Sequence, residues 1–327
     1  MGERSWYMTR EEIEVKSPSR VDGIDSKQES FQRWSYSTFL QELGQRLHNP
    51  QKSIATSIVL CQRFFTRESL AKNDPKTISI ICMFIAGKVE GSPRPVDDVI
   101  AKGCRVLHGK EPSTEMCARL KGAVLTGEKF VLSTLRFDVE IEHPYEPALH
   151  WVRRWIKVEM DAKRLYQAAW NFLNDGLRSS LCLQFRPSQI AAAALYLGSR
   201  MTNVKIPCDG EKDWWLEFHV TKRQLCDICN QTLEIYQQDF LIPVKHEAKS
   251  KFGDGAPEIS GPSCHVINSV DQAICKSKKK SVLDSVDTEL ESRKVNAADE
   301  NKVSSSLKKI GDGWIQAEKQ ILITFNS

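Results

Sequence analysis

The sequence predicts an all-α fold made of two tandem five-helix repeats. Apolar residues recur every three to four positions through most of residues 1–242, which is the spacing of one buried face of a helix. The strict apolar–polar alternation of a half-buried strand is nearly absent from the same residues. A second set of helical segments repeats the order and spacing of the first set. These three observations set the fold class.

The first set of helices is read from its start and stop signals. Thr9-Arg10-Glu11-Glu12 has the pattern of a capping box and predicts a short amino-terminal helix, and Ser17 to Gly23 predicts a loop. Helical spacing then runs from Phe31 to Leu47 and ends before Asn49-Pro50. Four more helices are predicted at about 52–68, 76–90, 96–108 and 115–136.

The second set of helices has similar start and stop signals. Helices are predicted at about 146–157, 162–178, 188–202, a short one near 213–218, and 221–239. A shift of 111 positions lays Ala86-Gly87-Lys88 over Leu197-Gly198-Ser199 and keeps the order of the elements. We infer a duplicated unit in which a central apolar helix is wrapped by the others.

These patterns divide the chain into four parts: 1–30 (amino-terminal helix and loop), 31–140 (first repeat), 141–242 (second repeat) and 243–327 (tail). The tail holds 3 of the 27 aromatic residues and 12 serines, so we expect it to be disordered. Its run Lys276-Ser277-Lys278-Lys279-Lys280 is either a nuclear import signal or a solvated charge cluster.

Composition excludes several classes of function. No window approaches the length of apolar sequence that crosses a membrane, so we expect no membrane association. Direct nucleic-acid binding needs a basic face, yet residues 1–242 hold 33 Lys+Arg and 30 Asp+Glu, a net charge of only +3, which argues against it. Ten scattered cysteines and no visible secretion signal favour free thiols in the cytosol or nucleus.

Catalytic and metal-binding patterns are not found in the sequence. There is no HExxH, no GxSxG and no phosphate-cradling glycine loop, so we expect neither an enzyme nor a cofactor. Cys226 and Cys229 form a lone CxxC within a predicted helix, which favours core or surface thiols over a metal site. We expect Trp214 and Trp215 to pack in the second repeat rather than stack on nucleobases.

A charge at the end of a core helix is the first candidate for a functional residue. Residues 78–86 are almost wholly apolar, and Lys88 follows them just before a Gly-Ser-Pro stop. A lysine needed only to end a helix would serve both repeats equally, yet the second repeat has Ser199 at this place. Lys88 is therefore either a partner-binding residue or a lysine that extends from the helix end into solvent.

Short motifs in this layout resemble the cyclin family, and in particular the transcriptional T type of plants. The similarity runs from Trp6 to Gln237 and leaves the tail uncovered. The motifs that carry it are Trp6-Tyr7-Met8-Thr9-Arg10-Glu11, Ser17 to Ile24, Ile54-Ala55-Thr56, Arg63-Phe64-Phe65, Ala71 to Asp74, Ala86-Gly87-Lys88-Val89-Glu90, Ser92 to Pro95, Leu135-Arg136-Phe137-Asp138, His143-Pro144-Tyr145, Trp170-Asn171-Phe172, Asn174 to Arg178, Leu181 to Phe185 and Asp209-Gly210-Glu211-Lys212.

This resemblance implies a non-catalytic activator of a cyclin-dependent kinase. By motif, Lys88 and Glu128 correspond to the family's lysine and glutamate that hold a helix of the kinase catalytic subunit. Val89, Leu132 and Phe137 are expected to supply apolar contact area beside them. A T-type cyclin further implies the positive transcription elongation factor b complex, the carboxy-terminal repeats of RNA polymerase II as substrate, partners in the transcription elongation machinery, and a nuclear location.

Two departures from the family pattern and two alternatives remain. Gly91 stands where the family has a second glutamate, and the stretch from Val99 to Glu128 is shorter than in T-type relatives. Both changes predict weaker kinase docking. The alternatives are another transcriptional cyclin (K, L or C type) or a cell-cycle cyclin, and a nucleic-acid-binding scaffold like general transcription factor IIB, whose fold is similar.

Overall fold

A computed structural model describes residues 6–207 and 213–237. Within them every regular element is helical, which confirms the all-α class. The α-helices are α1 (Arg10–Val15), α2 (Pro18–Val21), α3 (Ser26–Arg46), α4 (Gln51–Phe65), α5 (Pro75–Val89), α6 (Val96–His108), α7 (Thr114–Thr134), α8 (Tyr145–Trp155), α9 (Glu159–Gly176), α10 (Leu181–Gln184), α11 (Pro187–Thr202) and α12 (Lys222–Glu234), and 3₁₀ turns occupy Trp214–Phe218 and Ile235–Gln237.

Two helical starts differ from the sequence prediction. The expected loop after α1 contains the one-turn helix α2, because Ser17 accepts from the amide of Arg20 and Pro18 suits the first helical position. Helix α3 begins five residues before the predicted Phe31, where the side chain of Asp25 accepts from the amide of Gln28. A side-chain cap can start a helix several residues before its first buried apolar residue. The prediction relied on apolar spacing, so it missed α2 and placed the start of α3 too late.

A buried helix lies at the centre of each repeat, as predicted. Helix α5 contacts α3, α4, α6 and α7, whereas α11 contacts α8, α9, α12 and the turn Trp214–Phe218. Gly198 allows α11 to approach α9 closely, because a methyl group added there would lie 3.1 Å from the backbone nitrogen of Ala169. The predicted double repeat is therefore present, while the predicted limits at 30, 140 and 242 stay predictions.

Side-chain amides of the first repeat bond to the second. Gln41 Nε2 donates to the carbonyl of Asn174 at 2.9 Å, and Gln51 Nε2 donates to Asn174 Oδ1 at 2.9 Å. Gln62 Nε2 donates to the carbonyl of Leu177 at 2.8 Å from a buried position. These bonds satisfy polar groups at the last turn of α9 that the interface removes from water.

The amino-terminal segment contacts both repeats. Trp6 Nε1 donates to Asp138 Oδ2 at 2.6 Å beside the first repeat. Two positions later the amide of Met8 donates to the carbonyl of Leu183 at 2.8 Å in the second. Arg10 then pairs with Glu234 of α12 at 2.9 Å. We conclude that this segment ties the repeats together from one side.

The chemistry-bearing residues of the second repeat lie in its core, as predicted. Cys226 and Cys229 are fully buried, and burial raises the pKa of Cys229 well above its usual value, so it is a thiol at neutral pH. Trp214 and Trp215 are also buried, and the Trp214 ring lies 5.3 Å from that of Trp151. No helix in the described part of the chain is long and apolar enough to span a membrane. Residues 243–327, with the Lys276–Lys280 run, lie outside the described residues.

A buried histidine joins α4 to the start of the second repeat. His143 Nε2 and Thr56 Oγ1 lie 2.7 Å apart, and Thr56 donates to Glu90 Oε1 at 2.7 Å. Lys52 completes the chain by pairing with Glu90 at 3.0 Å. Burial lowers the pKa of His143 to about 4, so the ring is neutral in the folded protein at pH 7.

Acid is therefore expected to weaken the fold before the carboxylates titrate. Unfolded His143 takes up a proton near pH 6.5, but the folded protein resists this until about pH 4, so the free energy of unfolding falls across that window. The loss attributable to this group, once pH has fallen below both pKa values, is about 3 kcal/mol. Urea unfolding at a series of pH values measures it, with His143→Gln as the control because glutamine can donate to Thr56 without titrating. Equal slopes for the two proteins between pH 6.5 and 4 would contradict this account.

Candidate functional site

The candidate site forms where α5 leaves the core. The side chain of Asp74 caps the start of α5, and the apolar run 78–86 is almost wholly buried. At the other end the amide of Ser92 donates to the carbonyl of Gly87 at 2.8 Å, and Gly91 has φ 68°. This is a Schellman-type ending, which needs a left-handed residue after the helix. The ending leaves Lys88, in the last turn, at the surface.

The left-handed backbone of this ending explains why position 91 is a glycine. The prediction from the sequence considered only the glutamate that the family has there and did not include this backbone requirement. A side chain there would meet no atom within 4 Å, but the left-handed backbone would strain any residue with a Cβ. We expect Gly91→Glu to lower the free energy of unfolding by about 1 kcal/mol. The control is Gly91→Asn, since asparagine tolerates this backbone better. Equal or higher stability of the glutamate variant in urea unfolding would show that the strain is negligible.

Lys88 and Glu128 are brought together from α5 and α7. Lys88 Nζ lies 2.7 Å from Glu128 Oε1 and 2.9 Å from Oε2. The Lys88 side chain is 46% exposed and that of Glu128 is 20% exposed. Nζ also lies 4.1 Å from the centre of the Phe84 ring, within cation–π range. The sequence placed both residues in one site, but it did not predict that they pair with each other.

The three predicted apolar neighbours are exposed to different degrees. Val89 is 38% exposed and Phe137 is 66% exposed, so both present apolar surface to solvent. Leu132 is partly buried and packs against the core. Phe137 follows Arg136 in a left-handed conformation, and its amide donates to the carbonyl of Leu132 at 2.8 Å. This turn at the end of α7 projects the Phe137 ring away from the core.

Two further residues belong to this surface and were missed. Leu125, three positions before Glu128 on α7, is 50% exposed. Phe84, four positions before Lys88 on α5, is half-buried beneath its ammonium group. Spacings of three and four place side chains on one helix face, so this spacing could have found both. We define the docking surface as Phe84, Lys88, Val89, Leu125, Glu128 and Phe137.

The second repeat has no such surface at the corresponding place on α11. Ser199 is 7% exposed, and its hydroxyl donates to the carbonyl of Tyr196 at 2.7 Å. The corresponding turn of α11 therefore carries a small, buried side chain whose hydroxyl forms its hydrogen bond within the same helix. Of these two corresponding positions only Lys88 carries a charge, as the sequence comparison of the two repeats indicated.

Comparison with known proteins matches each of the two repeats to a cyclin domain model. The family model "Cyclin, N-terminal domain" matches residues 3–140, and "Cyclin, C-terminal domain" matches residues 147–251. A putative cyclin-T1-1 of Arabidopsis thaliana is 66% identical over 240 residues, which make up 73% of this chain and 97% of that protein. Cyclin-T1-4 of A. thaliana is 51% identical over 260 residues, covering 77% of this chain and 47% of that protein. The chain thus spans about half the length of this second relative.

Solved structures share the fold at low sequence identity. A chain of the yeast RNA Pol II CTD kinase CTDK-1 complex superposes with a TM-score of 0.61 and 17% identity, over 84% of this chain and 91% of that one. A chain of the yeast TFIIK complex gives a TM-score of 0.52 and 21% identity, over 71% of this chain and 96% of that one. These structures establish the architecture, and the sequence relatives establish the type: the chain belongs to the cyclin family and is a cyclin of the T type.

Proposed function

We propose that this cyclin binds and activates a cyclin-dependent serine/threonine kinase through the docking surface. The observation that carries the proposal is the solvent-accessible Lys88–Glu128 pair in a repeat that also exposes the apolar side chains of Val89 and Phe137. A helix that arrives with an end exposed offers unsatisfied carbonyl oxygens and amide hydrogens. The ammonium group donates to the first kind and the carboxylate accepts from the second.

The pairing within the free cyclin supports this role for both residues. An exposed ion pair stabilises a fold by about 0–1 kcal/mol, so exchanging it for new partners costs the cyclin little. The hydrogen bonds to a kinase helix would be charge-assisted, at about 1.5–3 kcal/mol each before desolvation. In the free chain the pair holds each side chain near its working position, which reduces the entropy lost on docking.

Activation of the kinase would follow from the position in which the cyclin holds the kinase αC helix. An active kinase needs the glutamate of its αC helix to pair with the lysine of strand β3. A cyclin that holds αC against its docking surface would keep that pair assembled. The cyclin itself needs no catalytic group for this role, since it acts by positioning.

The proposal also specifies the complex that the cyclin forms and the substrate of the kinase. We infer a T-type complex, the positive transcription elongation factor b, which phosphorylates the carboxy-terminal repeats of RNA polymerase II in the nucleus. Support comes from the T-type relatives and from the yeast RNA Pol II CTD kinase complex, one chain of which shares this fold. The test is to co-purify the full chain with candidate kinases and assay a polymerase tail peptide. Binding without phosphorylation of that peptide would reject the substrate and keep the kinase partner.

The DNA-binding alternative has a direct test of its own. A scaffold like transcription factor IIB would bind DNA through phosphate contacts, whose affinity falls steeply with salt. The small net charge of +3 on residues 1–242 predicts weak binding with a shallow dependence on salt. A DNA titration at several salt concentrations measures it, and a steep log–log slope would favour the scaffold.

A further inference from the structure

A cavity of about 40 Å³ lies between the two repeats, beside the second half of α4. Arg63 of α4 and Tyr7 of the amino-terminal segment line it. Leu181, Phe185 and Ile190 of the second repeat form part of its wall. The space exceeds what one water molecule needs, so it can admit a small group.

In the described part of the chain Arg63 is a buried cation that forms no salt bridge, although the nearby Asp138 carboxylate favours its charged form. Its side chain belongs to a residue only 9% exposed, and Nε and Nη1 have no hydrogen-bond acceptor. Its recorded contact is with the Trp6 ring, whose centre lies 4.9 Å from the guanidinium carbon. Desolvation lowers the pKa of Arg63, which shows how unfavourable the site is for an unpaired charge. Donors of this kind normally find a partner when buried.

We propose that this cavity binds a carboxylate, carried by an aspartate or glutamate in a peptide segment of a partner protein other than the kinase. The planar guanidinium fits a planar carboxylate. A carboxylate carries one negative charge and a phosphate dianion carries two, so the repulsion from Glu142 at the cavity is smaller for the carboxylate. The apolar wall suits apolar side chains beside the acidic residue in the peptide.

This site goes beyond kinase activation, because an acidic peptide and not a kinase helix would bind it. Lys52, at the start of α4, pairs with Glu90 beside Lys88, whereas Arg63 is near the other end of the helix. At 1.5 Å per residue these two positions are about 16 Å apart along the helix axis. One part of the docking surface lies closer, since Arg63 contacts the Trp6 ring and Trp6 donates to Asp138, the residue after Phe137.

The test is a calorimetric titration of the full chain with two blocked pentapeptides, Ala-Leu-Asp-Phe-Ala and the same peptide with asparagine. We expect the aspartate peptide to bind at least about tenfold more tightly, because only its carboxylate gains charge-assisted bonds. Arg63→Met should remove this difference without lowering Tm, since it replaces an unpaired buried ion by an apolar side chain. Inorganic phosphate is titrated as the competing anion.

Arg67→Met is the matched control for loss of a cation next to Trp6. Arg67 lies in the turn just after α4, with its guanidinium carbon 4.1 Å from the centre of the Trp6 ring, but it donates to the carbonyl of Thr134 and does not line the cavity. We expect this variant to keep the tenfold preference. Equal binding of the two peptides by the unaltered chain, an unchanged preference in Arg63→Met, or tighter binding of phosphate than of the aspartate peptide would each overturn the proposal. If Arg63→Met fails to fold, the peptide pair on the unaltered chain still decides it.

Discussion

Lys88→Glu is expected to weaken kinase binding at least about thirtyfold, because one side of the interface loses its donor and gains a repelling carboxylate. The new side chain would also face Glu128, which the structure places 2.7 Å from the Lys88 ammonium group. The free cyclin should lose less than about 1 kcal/mol of stability, since the pair is exposed. Pull-down and calorimetry with the partner kinase measure the first effect, and urea unfolding measures the second.

The control for this variant is an exposed ion pair on α9, in the second repeat. Lys163 pairs with Glu159 at 2.8 Å, and its side chain is 69% exposed. Lys163→Glu changes the net charge by the same amount and breaks an ion pair. It should leave the kinase affinity within about threefold, as expected of a charge outside the interface. Equal losses in the two variants would mean that net charge, and not the docking surface, sets the affinity.

Gly198→Val is expected to lower the free energy of unfolding by about 3 kcal/mol or more. The added Cβ would lie 3.1 Å from the backbone nitrogen of Ala169 and 3.3 Å from the carbonyl oxygen of Leu165. Backbone atoms of α9 cannot move as a flexible side chain does, so α11 must shift away from α9. Because this contact lies at the centre of the second repeat, the shift loosens its core.

Gly122→Ala separates this packing effect from helix propensity. Gly122 lies on the exposed side of α7, and a Cβ there would meet no atom within 4 Å. Alanine favours the helix over glycine by about 1 kcal/mol, so this variant should be more stable than the unaltered chain. Urea unfolding compares the two. A stability for Gly198→Val within 1 kcal/mol of the unaltered chain would show that the crossing of α9 and α11 can relax.

Local signals in the sequence were enough to predict most helices. The Asp74-Pro75 start, the apolar run after it and the Gly-Ser-Pro stop bound α5 almost at its observed ends. These signals act within a few residues, through caps and backbone geometry. The exceptions were α2 and α10, which are single turns of four residues and too short to show periodicity.

Contacts between distant residues were beyond such signals. Lys88 and Glu128 are 40 positions apart, so their ion pair depends on how α5 and α7 pack. The resemblance to cyclins placed both residues in one site without showing what they do in the free chain. The unpaired state of Arg63 was equally hidden, because it follows from the approach of two repeats and the amino-terminal segment.

The most direct test of the docking surface is the double charge swap, Lys88→Glu with Glu128→Lys. The swap can restore an ion pair within the cyclin, so stability should return to that of the unaltered chain. Kinase binding should stay lost, because the donor and the acceptor have changed places relative to the kinase helix. Recovery of both stability and kinase affinity would show that the pair serves the cyclin's own fold, and would contradict its role in docking.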